Sequence, residues 1–244
     1  TSLAATGWQE ENGTWVYYDK NGDAVTEQWA KSGNNWFWLN EDGEMATDYL
    51  VDDDGNYYYV DANGAMVTNQ WVSIENEDYD GDDGDEPLNY WYYFGANGKA
   101  YKSSSNSNSA SFKTINGKKY GFDEYGRMIA SWYAADVTAT TSTAKTPLAT
   151  DGEVQGTASY SEGFMYFSDP ESGARYTKGW FKVVPGYYLQ QGKYDDGDNY
   201  WYYADGNGKI YANQIKTING KKYAFDQYGA MVAEWSVDAD KKPS

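Results

Sequence analysis

A chain of 244 residues with a net charge of −18 and neither Cys nor His is poorly suited to several functions. Nucleic acid and anionic membrane surfaces call for clustered Lys and Arg, while disulfides, thiolate sites and the commonest general base are missing outright. Its 11 Trp, 26 Tyr, 8 Phe and 26 Gly, with few branched aliphatics, point to a thin structure whose rings lie near water, not to a thick aliphatic core.

Taken in chain order, one repeat accounts for almost everything from Gly7 to Trp235. Gly22, Gly43 and Gly64 mark it at intervals of 21 residues. The first unit runs from Trp8 through "TWVYYDKNGDAV" to Trp29. The second passes through "NWFWLNEDGEMAT" to Tyr49, and the third through "YYYVDANGAMV" to Trp71. The fourth carries "YWYYFGANGKAY". The fifth is "KTINGKKYGFDEYGRMIASW", ending at Trp132. The sixth contains "FMYFSDPESGARYTKGW" and ends at Trp180, and the seventh carries "YWYYADGNGKIY". The eighth, "KTINGKKYAFDQYGAMVAEW", ends at Trp235 and shares 15 of 20 positions with the fifth at an offset of 103.

Each unit reads as a β-hairpin. Asn12-Gly13, Asn116-Gly117 and Asn219-Gly220 separate short runs, and Asn-Gly is the preferred pair for a type I′ turn. In the first unit Trp15 and Tyr17 share one face of the pleat, Val16 and Tyr18 the other. A lone hairpin is marginal in water, so the expected fold is all-β: a solenoid of about eight stacked hairpins that bury one another's rings. Units four and seven swell at the tip, into "ENEDYDGDDGDEPLN" and "PGYYLQQGKYDDGDN". The expected organisation is a hairpin-repeat segment over 7–132, an Ala/Thr-rich linker or long loop over 133–160, and a second segment over 161–235.

The pattern of Gly7-Trp8 or Gly179-Trp180, then "NGTWVYYD", then "NGAM" (Asn63–Met66) or "YGAM" (Tyr228–Met231), then another Trp, resembles the cell-wall-binding repeats of Gram-positive bacteria, of choline-binding or glucan-binding type. The resemblance implies a secreted, wall-associated hairpin solenoid, of a kind often attached to a wall-active enzyme. It also implies aromatic cages between successive hairpins. Carried over, these are Trp8 and Trp15 with Trp36 or Trp38; Trp29 and Trp36 with Tyr57 or Tyr59; Tyr49 and Tyr57 with Trp91; Trp180 and Trp201 with Tyr223; and Trp71 and Trp91 with Tyr120. A quaternary ammonium, which donates no conventional hydrogen bond, is held by such ring faces at roughly 0.5–2 kcal/mol each. Sugars stack on them too, so the rings alone do not choose between choline on teichoic acid and a glucan. The same rings also serve simply to bury the stack.

Asp78, Asp80 and Asp82 alternate like the start of a calcium loop, but Asp83 stands where Gly is wanted and Asn89 where Glu is expected, so a solvated loop is the expectation. Carboxylate pairs of glycosidase type arise by chance among so many acids, and no catalysis or cofactor is expected. No apolar run reaches the length of a membrane span. Three readings follow: a non-catalytic module binding a wall or extracellular carbohydrate polymer, a spacer presenting acidic loops to a protein, or the targeting part of an enzyme whose catalytic domain lies elsewhere. The duplicated "KTINGKKY" places Phe112, Ile215, Lys119 and Lys222 where cage rings are needed, so that stretch reads as frame.

Overall fold

The computed structural model describes residues 5–81, 87–104, 110–134, 164–169, 171–175, 178–186 and 189–236. Nearly all of the described secondary structure is β. The strands are β1 (Gly7–Glu11), β2 (Thr14–Tyr18), β3 (Gln28–Ser32), β4 (Asn35–Leu39), β5 (Tyr49–Asp53), β6 (Asn56–Val60), β7 (Gln70–Glu75) and β8 (Asn89–Phe94). They continue with β9 (Ser111–Ile115), β10 (Lys118–Phe122), β11 (Trp132–Ala134), β12 (Phe164–Tyr166), β13 (Gly179–Val183), β14 (Tyr200–Ala204), β15 (Gln214–Ile218), β16 (Lys221–Phe225) and β17 (Met231–Ser236). Consecutive strands pair as hairpins, and β17 adds a third strand to the last of them. The all-β hairpin solenoid expected from the repeat is the fold of the chain.

Turn chemistry sets the registers. Asn12-Gly13, Asn116-Gly117 and Asn219-Gly220 hold both turn residues at positive φ, near 50° for each Asn and 80° for each Gly. Asp54-Gly55 does the same for β5 and β6. This is the type I′ geometry whose twist matches the flanking strands.

Successive hairpins are stitched by one recurring backbone bond. The residue after an inter-hairpin Gly-x donates its N–H to a ring-bearing residue on the second strand of an earlier hairpin: Met45 to the Trp15 carbonyl and Met66 to that of Trp36, both at 2.8 Å. Ala100 to Tyr57 and Met128 to Trp91, also at 2.8 Å, repeat it across the stretched units. The stitch fixes the backbone from which those rings project. Gly64 shows why glycine recurs beside it: φ is +83°, and a Cβ there would lie 2.9 Å from Met45 Sδ.

The loop after most hairpins is closed by a carboxylate or carboxamide. The Oδ1 of Asp19, Asn40, Asp61, Asp123, Asp205 and Asp226 each accepts the N–H groups two and four residues onward, at 2.8–3.0 Å. These Asx turns satisfy donors that the bend would otherwise strand.

The chain divides into two compact units, one of Thr1–Ser73 with Tyr92–Tyr101, the other of Ile74–Trp91 with Lys102–Ser244. Neither has a single thick core. In the first, Trp38, Val51 and Val60 form a small cluster with Trp29, Ala46 and Tyr58 against it. In the second, Trp132, Phe164, Phe181, Leu189, Tyr202, Ala204, Ile210 and Ala230 make a larger one. Trp132 was expected to mark a unit boundary. Instead Tyr133 stands at the leading register, opposite Met165, and Trp132 is buried, its indole N–H bonded to the Val184 carbonyl at 2.8 Å. The swollen tip of the seventh hairpin holds a short helix, α1 (Gln191–Asp196), closed by Gly197 at φ 73°. Most of the expected 133–160 linker lies outside the described residues.

Candidate functional site

Antiparallel register decides which side chains share a face, because opposed residues and those two positions along point the same way. In the first hairpin Trp8 opposes Tyr17 and Glu10 opposes Trp15. In the second, Trp29 opposes Trp38 and Lys31 opposes Trp36. In the seventh, Trp180 opposes Tyr203 and Lys182 opposes Trp201. Each of these faces therefore carries a leading Trp and, one pleat further out, a second Trp.

The hairpin that follows closes each face with one ring. Phe37 lies 5.5 Å from Trp8, Tyr58 5.2 Å from Trp29, and Tyr223 4.7 Å from Trp180, all edge to face. Such contacts add roughly 0.5–1.5 kcal/mol beyond area burial, so the leading Trp and closing ring form a fixed floor. The outer ring differs. Trp15 is 44% exposed, Trp36 40% and Trp201 42%, each an indole left open beside two packed rings. The result is a slot with an aromatic floor and one accessible aromatic wall.

Of the expected groupings, Trp180, Trp201 and Tyr223 come together as named, with Trp180 and Trp201 6.2 Å apart. In the first two the closing ring differs by one residue. Phe37, opposite Ala30, reaches Trp8, while Trp36 and Trp38 share the other face of β4 and look toward Tyr58. By the same alternation Tyr58 closes the second slot, and Tyr57 and Tyr59 face away from Trp29. Trp38 belongs to the floor, since it is buried beside Trp29 at 5.2 Å.

The third hairpin departs further. Leu50, opposite Tyr59, holds the leading position, and Tyr49 opposes Val60 on the other face. Tyr49 and Tyr57 lie in the first unit and Trp91 in the second. Trp71 lies in the first unit, 5.2 Å from Tyr93, and Tyr120 in the second. Among the described residues, Asp78 and Asp80 included, no group of three His, Cys, Asp or Glu gathers to hold a metal; Asp82 lies outside the described residues.

The electrostatics differ from slot to slot. The Trp29 indole N–H donates to Asp53 Oδ2 at 3.2 Å. The Trp8 indole nitrogen is buried without an acceptor, and Ser32, one repeat before Asp53, is the shorter residue at that position. Burial, and then the charges of Asp53 and Asp54, push the Tyr58 phenol above its ordinary pKa and keep it neutral. A cleft of about 500 Å³ beside the second and third hairpins sets Glu27, Glu41, Asp42 and Asp52 around Trp38, Tyr49 and Leu50. That field attracts cations.

Residues 25–71 match a family described as choline-binding repeat, and residues 6–24 one described as putative cell wall binding repeat. Residues 25–71 carry the choline-binding repeat. A search of curated protein sequences returns no match. Among solved structures, choline binding protein F from Streptococcus pneumoniae is 22% identical, with a TM-score of 0.54 over 93% of this chain and 57% of that one. The same protein crystallised with a peptidoglycan analogue, a tetrasaccharide-pentapeptide, gives 22%, 0.54, 93% and 58%. CbpJ from Streptococcus pneumoniae gives 21%, 0.53, 93% and 58%. At such identities the likeness is one of fold, and the repeat chain spans under three fifths of each neighbour's length, 57–58%.

Within the matched repeats, sequence reasoning passed over Phe37 and Tyr58. The signal was available. Counting the pleat from the turn places Phe37 and Tyr58 21 residues apart at the same step of β4 and β6, on the face turned toward the preceding hairpin. The residues opposite the outer Trp, namely Glu10, Lys31 and Lys182, were missed for the same reason: their neighbours across the strand follow only from register.

Proposed function

We propose that this chain is a non-catalytic binding module that attaches to a choline-substituted cell-wall polymer. The supporting observation is the threefold recurrence, at Trp15, Trp36 and Trp201, of an exposed indole beside a packed Trp and a closing ring. A quaternary ammonium fits such a slot because its methyl groups desolvate cheaply and its charge is held by ring faces. The −18 net charge raises the local concentration of any cation without selecting among them. The family match and the names of the structural neighbours support the same ligand. A wall ligand places the module outside the cell, at the surface.

Retention on a matrix displaying quaternary amines tests the reading. The chain is expected to bind and to elute with free choline, but not with soluble glucans. Elution by glucan alone would move the assignment to sugar, and passage through the column would favour the spacer reading. A hydrolysis assay on purified walls bears on catalysis: no turnover is expected, and turnover by this chain would overturn the non-catalytic assignment.

A further inference from the structure

The three slots share their rings but not the residue across the strand from the exposed indole. In the first slot it is Glu10; in the second and seventh it is Lys31 and Lys182. Both lysines lie over the exposed ring itself, Lys31 Nζ 5.8 Å from the Trp36 centroid and Lys182 Nζ 5.8 Å from that of Trp201. Neither amine pairs with a carboxylate among the described residues, in a chain where 37 acidic residues outnumber 19 basic ones. An ammonium at that spot repels a bare cation entering the slot and attracts an anion held next to one.

We propose that Lys31 and Lys182 make the second and seventh slots selective for a zwitterion, a quaternary ammonium carrying a phosphate ester across a short carbon link, whereas the Glu10 slot selects the bare ammonium. The proposal rests on the slots being quaternary-ammonium sites. In a phosphocholine-type ligand the methylated nitrogen sits against the rings, and the phosphate reaches outward, where the lysine amine lies. The lysine then leaves the indole face and donates to a phosphate oxygen, a charge-assisted contact. In the first slot the Glu10 carboxylate repels the same phosphate and favours choline. A single chain therefore carries slots of two selectivities.

The test follows the side-chain indole N–H signals of Trp15, Trp36 and Trp201 in the full chain by NMR as choline, phosphocholine or inorganic phosphate is added. Phosphocholine is expected to bind about threefold or more tightly than choline at Trp36 and Trp201, the scale of one exposed ion pair, with the order reversed at Trp15. Lys31→Gln is expected to abolish the preference at Trp36 only and to strengthen choline there; Lys182→Gln does the same at Trp201. Glu10→Lys is expected to transfer the preference to Trp15. If both organic ligands bind with one ratio at all three slots, unmoved by these substitutions, the lysine proposal fails while the slots stand. Shifts produced by inorganic phosphate alone would make the lysines a plain anion site and overturn the zwitterion. If no ligand shifts any of the three signals, the binding function itself fails.

Discussion

Tyr202 and Asp123 show what individual side chains cost in a thin fold. The Tyr202 ring is fully buried in the larger cluster of the second unit, and its hydroxyl has no hydrogen-bond partner among the described residues. Burial pushes that phenol far above its ordinary pKa. An unsatisfied buried hydroxyl costs about 1–3 kcal/mol, so Tyr202→Phe is expected to raise the thermal midpoint by several degrees in calorimetry. Asp123 closes its loop as Asn40 does, yet burial raises its carboxyl pKa despite the opposing bonds and charge of Arg127. A carboxyl whose folded pKa lies above its unfolded one stabilises most at acid pH, and that stability is lost as pH climbs through the folded value. Asp123→Asn keeps the Asx turn without the buried charge. It is expected to be more stable than the parent at pH 7, with the difference shrinking as pH falls toward 4, in urea melts across that range.

At the scale of the hairpin, stacking depends on the close approach at Gly64. An added Cβ meets Met45 Sδ at 2.9 Å and the Ala46 carbonyl at 3.1 Å, and φ is +83°. The turn glycine Gly13 has a similar φ, +80°, but open space around it. Gly64→Ala is therefore expected to cost roughly 2–4 kcal/mol and Gly13→Ala roughly 1–2, read from denaturant unfolding. Equal losses would mean that stacking does not govern the effect. The hairpins themselves were legible in the sequence because Asn-Gly turns and alternation are local signals. Inter-hairpin pairing was less so. Choosing Trp36 or Trp38 over Phe37 put the closing ring on the wrong face, since one step along a strand reverses a side chain and only register fixes the count. Leu50 in place of Tyr49 is the same slip at β5. Trp132 shows a different limit: its burial depends on Val184 and Phe181, which lie far along the chain.

For the whole molecule, the proposed function makes binding a matter of several weak sites on one chain. Each slot offers ring contacts worth roughly 0.5–2 kcal/mol apiece, and attachment to a polymer gains from linked engagement, not from one tight site. The duplicated "KTINGKKY" hairpins set Lys119 opposite Thr114 and Lys222 opposite Thr217 where the slots have Trp15, Trp36 and Trp201, and so lack the outer indole. Tyr223 of the second copy still closes a slot. The sequence located the repeats, but it gave no reason to rank the seventh hairpin beside the first two. That equality appears only when register aligns Trp201 with Trp15 and Trp36.

The most direct test is calorimetric titration of choline into the full chain and into Trp15→Ala, Trp36→Ala and Trp201→Ala. The three single variants and the triple variant are expected to share the parent's circular dichroism, because the truncated rings are the exposed ones. Each substitution is expected to remove one binding equivalent and leave the others unchanged, with the triple variant losing all three. A triple variant that keeps the parent's stoichiometry and affinity would contradict the assignment of these slots as the ligand sites.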